Sequence, residues 1–600
     1  MNFRFCIGEP ALLSMHMTNK YGKKMKIIYS LPLMLSITIS AYLAFRGVPD
    51  ELRTIIPFLC LWVFFAMIYY SGHKSTITNK DPVIKIGSRT PYVIPILFFI
   101  FPAIMLIGIF AARNFEFALQ LATACVACLT AYFFSIFLLI RELKRDFKKA
   151  VKEKNEKLRI GSDSRKKLLL INPVNQKRVG LSSNRKSTFP PLALAIIAAL
   201  TPDDFHVELI DENFDRFQYQ EANLVALTAF TSNVTRAYEI ASVYKEKNIP
   251  VVMGGIHAFM MPDEALEHVD SVVLGEAENV WKDVIADFEN GELKKKYQGT
   301  HLDLTKMVMP RRELFSDDYL YATVQTSRGC PMDCNFCSVT TFNGNRYRQR
   351  PYEDVLAELE SIPQRQIFFI DDNILGYGKK AEQRAIKLFE GMIEKKLAKK
   401  WFCQTSLNFG SNEKIIKLAA KAGCQMVFIG LESPEKEELQ EMNKKMNLKL
   451  DYEKAFKNIN KYGIAVLGAF IYGTDTETRK SMIRKTDYIL KNRIDVIDVT
   501  NLTPLVGTKL FKEFNNNNRL KYTDFPSDWD RYDMTELVFK PKKMSEKEYL
   551  ETMEICSKKL NSRFTIYKKF IQTLIHTKNM EAAMTAYNSN TVFRYVSVNQ

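Results

Sequence analysis

From Lys167 onward the sequence alternates short apolar segments with amphipathic helical ones, in two separate series. In the first series, 167–295, we predict strands at 168–172, 207–210, 224–230, 250–253 and 271–274. Helices are predicted between them, in "PPLALAIIAAL", "NVTRAYEIASVYKEKN" and "EAENVWKDVIADFEN". Apolar strands that are buried on both faces and joined by helical crossovers form parallel sheets. The series therefore predicts a doubly wound α/β domain, which binds ligands at the carboxyl ends of its strands.

A second alternating series occupies 318–515. Its strands are predicted in "YATVQTS", "QIFFIDD", "WFCQTSL", "QMVFIGLES", "AVLGAFIYG" and "VIDVTNLTP". Six β/α units without a seventh or eighth indicate a partial (β/α)6 barrel. Residues 525–600 are predicted to form a small C-terminal α/β extension with a helix at 545–559.

Four uncharged stretches precede both series, after an N-terminal segment at 1–26. Each has at least 19 residues, and they cover 27–45, 54–72, 92–112 and 117–140. A helix of that length spans about 28 Å, close to the thickness of the hydrocarbon core of a bilayer. A signal peptide would account for one such stretch. Four in succession predict a transmembrane region of four helices at 27–140.

Lysine and arginine indicate the orientation of these predicted spans. The loop 73–91 holds four basic residues against Asp81 alone, and 141–167 holds twelve basic and five acidic residues. Basic loops stay on the cytoplasmic side. We therefore expect a multi-pass protein of the cytoplasmic (inner) membrane, with a basic cytoplasmic linker at 141–166 and cytoplasmic catalytic domains. The formal charge of +17 then reflects topology and attraction to anionic lipid, so nucleic acid is not required as a partner.

Three cysteines, Cys330, Cys334 and Cys337, stand within eight residues directly after the first strand of the barrel series. Barrel enzymes place their chemistry at that end of the strands. A structural zinc site is one alternative, but it uses four ligands, and no histidine lies between His301 and His576. Three thiolates suit an iron–sulfur cluster, and on a [4Fe-4S] cluster they would leave one iron open.

This CxxxCxxC pattern, with Phe336 before its last cysteine, resembles the radical S-adenosylmethionine superfamily. The resemblance implies that the three cysteines hold a [4Fe-4S] cluster and that Phe336 lies by the cofactors. It also implies that the open iron binds S-adenosyl-L-methionine. An electron from a reductant such as flavodoxin or ferredoxin would then cleave this cosubstrate to a 5′-deoxyadenosyl radical, which takes hydrogen from unactivated carbon.

The same resemblance suggests further contacts to S-adenosylmethionine. "FFIDDN" ends the second strand of the barrel series and offers Asp371, Asp372 and Asn373. "GLES" ends the fourth strand and offers Glu432 and Ser433. The motifs "GAFIYG" and "NLTPLVGT" are expected near the adenine. Alternatively, the aspartates and the serine cap the helices that follow them.

The first domain resembles the Rossmann-like cobalamin-binding domain that precedes the barrel in one subclass of this superfamily. The segment "PVVMGGIHAFMMPDEALEHVDSVVLGEAENVW" carries the resemblance. Gly254 and Gly255 would let the backbone approach a bulky ligand closely. The hydroxyls of Thr228, Thr231 and Ser232 would hydrogen-bond the nucleotide tail of cobalamin.

One departure concerns the metal of the corrin. The loop "NPVNQKRVGLSSN" has no histidine where better-known cobalamin domains supply an axial ligand. The sequence therefore predicts cobalamin without a histidine axial ligand, and His257 is interpreted as a loop residue that binds neither iron nor cobalt. A domain that keeps the fold but has lost the corrin is the alternative.

Together these features predict a membrane-anchored, cobalamin-dependent radical S-adenosylmethionine enzyme. The favoured reaction is methylation of an unactivated carbon in a lipid, a lipid-linked molecule or another membrane-associated substrate. The first alternative is ring closure or carbon–carbon coupling without methyl transfer. Methylthiolation is disfavoured because no second cysteine cluster is present. The second alternative is a non-catalytic membrane scaffold whose cysteines bind zinc.

Overall fold

The computed structural model describes residues 165–175 and 189–598, all within one compact unit, Lys157–Gln600. The predicted N-terminal segment, the four predicted spans and nearly all of the basic linker lie outside these residues. Within the described ranges, no helix combines the length and the apolar character that a membrane crossing requires.

The first domain contains a six-stranded sheet in which all neighbouring strands are parallel. The strand order is β2-β1-β3-β4-β5-β6. The strands are β1 (Lys166–Asn172), β2 (Phe205–Asp211), β3 (Leu224–Thr228), β4 (Val251–Gly254), β5 (Ser271–Leu274) and β6 (Lys296–Gln298). The predicted doubly wound sheet is confirmed. The short strand β6 was missed because its sequence, Lys-Tyr-Gln, has no apolar run.

Helices cover both faces of this sheet, as its apolar strands require. They are α1 (Leu192–Leu200), α2 (Val234–Lys245), α3 (Ile256–Met260), α4 (Pro262–His268) and α5 (Trp281–Asn290). Leu168 and Leu170 of β1 pack in a core with α1 and α5, whereas Leu169 and Ile171 pack in a core with α2. The continuous apolar run of β1 follows from this burial on both sides.

The second domain is built on six parallel strands in chain order, β14-β13-β12-β11-β10-β7. They are β7 (Ala322–Val324), β10 (Gln366–Phe369), β11 (Lys400–Thr405), β12 (Cys424–Glu432), β13 (Ala465–Tyr472) and β14 (Val496–Asn501). Among the described strands β7 and β14 do not pair with each other, so the barrel is open, as predicted. A short antiparallel ladder, β8 (Ser327–Arg328) with β9 (Arg348–Gln349), flanks the cysteine loop.

The barrel helices pack on the outer, convex face of the strands. They are α6 (Val339–Asn343), α7 (Tyr352–Ser361), α8 (Lys379–Glu394), α9 (Glu413–Lys421), α10 (Lys436–Glu441), α11 (Tyr452–Lys461), α12 (Arg479–Lys491) and α13 (Lys509–Asn516). Val427, Val466 and Ile497 of the strands join the helices in one buried core.

The C-terminal extension is helical, which corrects the predicted small α/β unit. It consists of α14 (Glu546–Leu560), α15 (Arg563–Thr577) and α16 (Met580–Val598). The one β pairing described beyond β14 is an isolated bridge between Leu520 and Phe539. The helices prevail because this sequence lacks the two-residue alternation of a strand.

Helix α16 covers the free edge of the barrel sheet. The Asn590 side chain accepts a hydrogen bond from the Ile497 N–H (3.0 Å) and donates one to the Asp495 carbonyl (2.8 Å). Unpaired backbone groups on an edge strand favour aggregation unless something covers them. The extension thus supplies hydrogen-bond partners to the backbone at the outer edge of β14. In a barrel of eight strands, another strand would supply them.

A buried group of ion pairs joins the two domains beside the cysteine loop. Glu276, just after β5, lies 3.1 Å from Arg328 of β8 and hydrogen-bonds Arg348 of β9 at 3.0 Å. Arg328 also pairs with Glu278 at 2.6 Å. Burial would raise the pKa of Glu276, but the hydrogen bond from Arg348 and the charge of Arg328 outweigh burial and hold the pKa below its ordinary value.

Replacing Glu276 by alanine would leave Arg328 and Arg348 without their shared partner. We expect E276A to lower the free energy of unfolding by about 3–5 kcal/mol, the range for breaking a buried pair. Urea denaturation of the full chain, followed by circular dichroism, measures this. The control is E554A, which removes an exposed pair with Lys558. Equal and small effects of both variants would show that the group does not stabilise the domain junction.

Candidate active site

The cysteine loop begins directly after β8, with Gly329. Its φ of +88° lies in the region that favours glycine, and a Cβ there would lie 2.2 Å from the Arg346 carbonyl oxygen. The next residue, Cys330, donates its N–H to the Gly344 carbonyl (3.2 Å). These contacts close the loop, so the three cysteines occupy one short segment at the carboxyl end of β7.

The three thiols are close enough to affect one another's ionisation. Burial raises the pKa of Cys337 to about 12, and the charges of Cys334 and Cys330 also raise it. Burial is the main cause of the raised pKa of Cys334. The Tyr377 hydroxyl lies 3.4 Å from Cys330 Sγ. Thiols with a raised pKa remain protonated until a metal displaces the proton.

The donor chemistry of this loop can be compared with the group that the sequence predicts. Within the described ranges, no three His, Cys, Asp or Glu side chains are arranged to hold a single metal ion. The loop offers three half-buried free thiols. Thiolates are soft ligands and are the usual ligands of iron–sulfur clusters. By donor type and spacing, Cys330, Cys334 and Cys337 fit a cluster.

An ion pair that the sequence analysis missed lies beside the cysteines. Lys444 Nζ is 2.8 Å from Glu432 Oε1. Burial lowers the pKa of Lys444, but the charges of Glu432, Cys334 and Cys337 outweigh it and raise the pKa above its ordinary value. Gly430 makes the room, because a Cβ there would lie 2.5 Å from Glu432 Oε1. The predicted site residue Glu432 therefore meets the cysteine loop through a lysine.

The lysine gave no signal in the sequence, because it stands in a polar run, "MNKKMN". Glu432 itself has a φ of +62°, at a shift of register between β12 and β13. This local distortion turns its carboxylate toward Lys444. Only the fold shows that the two residues meet.

Two of the predicted cosubstrate contacts, Asp371 and Asn373, form hydrogen bonds within the protein. Asp371 is fully buried, and its carboxylate accepts hydrogen bonds from the N–H groups of Thr326 and Ser327, both at 2.6 Å. Burial raises the pKa of Asp371, and these hydrogen bonds oppose the rise. Asn373 is also buried and donates to the Ser406 hydroxyl (3.0 Å). The Asp371 carboxylate thus holds the chain just before the cysteine loop, and Asn373 links the segment after β10 to the residue after β11. Their contact with the cosubstrate stays a prediction.

Asp372, the third member of this motif, lies differently. It is half-buried, and Asn343 of α6 donates to its carboxylate (3.3 Å). Burial raises the pKa of Asp372 to about 6. Since it borders the cysteine loop and keeps an exposed face, Asp372 stays a candidate for cosubstrate contact.

Ser433 and Phe336 pack within the protein. Ser433 is buried, and its hydroxyl accepts a hydrogen bond from the Glu435 N–H (3.0 Å) in the turn before α10. It does not cap α10, whose N-cap residue is Glu435. Phe336 is half-buried and packs in an apolar core with Leu439 and Tyr472. Their contact with the cosubstrate stays a prediction.

In the first domain, the end of β4 presents bare backbone. A Cβ on Gly254 would meet no atom within 4 Å, so the backbone there borders open space. Gly255 has a φ of +94°, and a Cβ there would lie 2.7 Å from Thr228 Oγ1. Ser232 is half-buried, and its carbonyl accepts a hydrogen bond from Asn175 (2.7 Å). The open backbone at Gly254 fits the close approach of a planar ring system such as a corrin.

His257 lies in helix α3 and not in a loop, which corrects the prediction. It is completely buried; Nδ1 is 3.2 Å from the Thr231 hydroxyl, and Nε2 is 3.1 Å from Glu264 Oε1. Glu264 also accepts a hydrogen bond from Trp529 Nε1 (2.9 Å). Thr231, which the sequence predicts to bind the nucleotide tail, belongs to this buried network. Both ring nitrogens of His257 face protein groups.

The carboxyl ends of the two sheets face each other. Phe259 of α3, which follows β4, lies edge-on to Phe342 of α6, which follows the cysteines, with ring centroids 5.4 Å apart. Met260 contacts the loop after β14, where a Cβ on Gly507 would lie 2.1 Å from its sulfur. The ligand-binding ends of both sheets therefore meet at one junction.

Comparison with known proteins gives this arrangement a family. Residues 324–488 match the radical SAM superfamily, and residues 178–285 match the B12 binding domain. The chain is 33% identical over 412 residues to the bacteriochlorophyllide d C-12(1)-methyltransferase of Chlorobaculum tepidum, which covers 66% of this chain and 87% of that relative. The chain belongs to the cobalamin-dependent radical S-adenosylmethionine methyltransferase family.

Other relatives of this radical S-adenosylmethionine enzyme are more distant. The hopanoid C-2 methylase of Rhodopseudomonas palustris is 27% identical over 350 residues, which are 56% of this chain and 66% of that protein. The cobalamin-dependent S-adenosylmethionine radical enzyme OxsB, solved with aqua-cobalamin bound, shares the fold with a TM-score of 0.55 at 16% identity. That alignment covers 72% of each chain. Because the chain is an enzyme of this family, the zinc-binding scaffold is no longer an alternative.

The Thr326 and Ser327 N–H groups share Oδ1 of Asp371, so an asparagine in its place can keep their acceptor only by placing its N–H₂ group against the Thr326 hydroxyl. That hydroxyl donates to Oδ2 (2.7 Å) and already accepts a hydrogen bond from Arg384 (2.9 Å), so it would lose its acceptor. An unsatisfied buried donor costs about 1–3 kcal/mol, so the start of the cysteine loop would loosen. We expect D371N to bind no more than about half of the wild-type iron and sulfide after anaerobic reconstitution. The control is D354N, an exposed carboxylate on α7. Wild-type iron content in a folded D371N chain would contradict the positioning role.

Proposed function

We propose that this enzyme is anchored in the cytoplasmic membrane and methylates an unactivated carbon of a lipid or a lipid-linked substrate. Cys330, Cys334 and Cys337 would hold a [4Fe-4S] cluster, and the first domain would hold cobalamin. When bound, the cluster with S-adenosylmethionine supplies a 5′-deoxyadenosyl radical, and the corrin supplies a methyl group. A reductant such as flavodoxin or ferredoxin would deliver the electron.

The proposal rests on one observation: the carboxyl ends of the strands of the two sheets meet at the junction between the domains. Hydrogen removal and methyl delivery must reach the same substrate carbon, so the two cofactors need sites that share one cavity. The contact between Phe259 and Phe342 and the ion pairs of Glu276 bring the end of β4 and the cysteine loop together. The substrate would lie between these two edges.

The protein's own groups would bind and orient the reactants. Lys444 keeps a positive charge next to Cys334 and Cys337, which favours thiolates and an anionic group of the cosubstrate. Asp372 offers a carboxyl group at the edge of the same loop. The Gly254 backbone would let the corrin approach closely.

The lower face of the corrin would have no histidine ligand. His257 lies next to the predicted corrin edge, and its two nitrogens already contact Thr231 and Glu264. The described residues 172–175 at the start of the loop after β1 contain no histidine. We therefore propose that cobalt is held without a protein imidazole.

Two further features support a membrane location. The apolar stretches at 27–140 are long enough to span a bilayer. Helix α15 also exposes an apolar stripe, with Phe564 78% and Ile575 65% exposed, next to the basic residues Arg563 and Lys568. Such a face is typical of a helix that rests on an anionic bilayer. The hopanoid methylase among the relatives adds support for a lipid substrate.

Lipid mass spectrometry of cells fed methyl-deuterated methionine tests the proposal. Cells with the wild-type chain should contain one lipid class with a labelled methyl group on carbon. Cells with C334A should lack it, because one cluster ligand is missing. C556A, which removes a buried cysteine of α14, is the control and should keep the label.

Two outcomes would contradict the proposal. Label that persists in C334A would exclude the cysteine loop from the reaction. A new product that has lost hydrogen but carries no label would favour the ring-closing or coupling alternative, because methylation adds mass and coupling removes it.

A further inference from the structure

The side chains along the barrel strands alternate between two environments. On one side they are fully buried against the outer helices, as Phe369, Cys403, Val427 and Ile497 are. On the other side, facing the concave lumen, they are half-buried: Phe368, Gln404, Phe428, Ala469 and Asp498. Phe368 stacks on Phe402, with ring centroids 4.3 Å apart, and Phe428 packs against the core that α16 forms with the strands. The lumen is therefore left unfilled above these rings, beside Ala469 and Asp498.

The lower part of the lumen is closed and apolar. Ala582 and Ala586 of α16 pack against Met426, Leu467 and Val496 near the amino ends of the strands. The open part therefore lies above this plug, toward the carboxyl ends, where the cysteine loop is. The junction between the two domains therefore gives access to the lumen from the carboxyl ends of the strands.

Asp498 lies in this open part, close to the cysteine loop. It stands opposite Ala469 in the register of β13 and β14, and Ala469 stands opposite Gly430 of β12. The space beside Gly430 is taken by the Glu432 carboxylate and the Lys444 ammonium group. The small residues Gly430 and Ala469 thus lie between Asp498 and the ion pair of Glu432 with Lys444, and they leave room there.

The polar groups of the lumen lack partners within the described part of the chain. The Asp498 carboxylate forms neither a hydrogen bond nor an ion pair there; burial, followed by the charge of Glu432, raises its pKa to about 6. The Gln404 amide makes no side-chain hydrogen bond to a described residue. The Thr323 hydroxyl is buried and unpartnered. Desolvated polar groups of this kind are costly unless something pairs with them.

We infer that Asp498 and Gln404 determine which substrate this enzyme takes, by hydrogen-bonding a hydroxyl or N–H group of an otherwise apolar molecule. This inference rests on the proposed function. The apolar part of the molecule would pack on Phe428 and Ala469, and Asp498 would accept the hydrogen bond. A carboxylate beside Glu432 favours a donor and disfavours an anionic substrate group. Fatty acids and phosphate esters bound by their acidic group are therefore excluded, whereas alcohols and ring N–H compounds suit the site.

The test uses the purified full chain in detergent, reconstituted without oxygen and given S-adenosylmethionine and reductant. The measured quantity is 5′-deoxyadenosine, with and without a total lipid extract of the host. For the wild type we expect the extract to accelerate its formation. In D498A the response to the extract should fall by about tenfold or more, the size of one lost charged hydrogen bond, while the rate without extract stays within about twofold.

Two further variants separate binding from folding. D498N keeps an acceptor oxygen, so it should retain a larger response than D498A. E551Q, an exposed carboxylate of α14, should behave as the wild type. For the wild-type chain, we expect the neutral fraction of the extract to accelerate 5′-deoxyadenosine formation. The acidic fraction should not accelerate it.

Several results would overturn the inference. They are a wild-type chain that ignores the extract, a D498A chain that responds to it normally, and a D498A or D498N chain that loses the rate without extract as well. The proposed methyl transfer fails separately, if the extract accelerates 5′-deoxyadenosine formation but no lipid acquires a deuterated methyl group.

Discussion

The structure depends on how firmly the cysteine loop is held between the two domains. Arg328, the residue before Gly329 and Cys330, is buried and pairs with Glu276 and Glu278 of the first domain. Such a cluster contributes little net stability compared with an apolar core, but breaking it is costly, so it specifies one arrangement. The ion pairs of Arg328 orient the cysteine loop and also hold the first domain against it. Cofactor position and domain position are therefore coupled.

Electrostatics around the loop follow from a small number of buried charges. Lys444 compensates the negative charge that would collect on the three thiolates, and Glu432 keeps that lysine in place. Asp371 uses its oxygens to hold the backbone, whereas Asp372 and Asp498 keep titratable carboxyl groups beside the site. Their pKa values near 6 come from burial without a matching cation. Three carboxylates within one barrel thus acquire different roles because their surroundings differ.

Much of the fold was predictable, because apolar strands and amphipathic helices alternate throughout both domains. The strands in "QMVFIGLES" and "AVLGAFIYG" lie where their patterns place them. The helices α3 and α4 were missed because each has at most seven residues, too few to show a helical period. The extension was misassigned in part because the sequence does not show that Asn590 caps the edge of β14. The local pattern of apolar residues predicts helices and strands. It does not predict which edge strand of a sheet stays unpaired.

The candidate site was less predictable than the fold. Spacing alone identified the three cysteines, since few other arrangements place three thiols in eight residues. Lys444 is more than one hundred residues away in the chain and meets them only through the bend at Glu432. Asp371 and Ser433 stand at strand ends, where ligand contacts and structural hydrogen bonds use the same residue types. Only their burial and partners distinguish the two.

The most direct measurement is electron paramagnetic resonance of the full chain after anaerobic reconstitution and reduction, with and without S-adenosylmethionine. The account predicts the signal of a reduced [4Fe-4S] cluster that changes when the cosubstrate is added. A chain that binds iron and sulfide but whose signal is indifferent to the cosubstrate would contradict it, as would a chain that takes up no cluster at all.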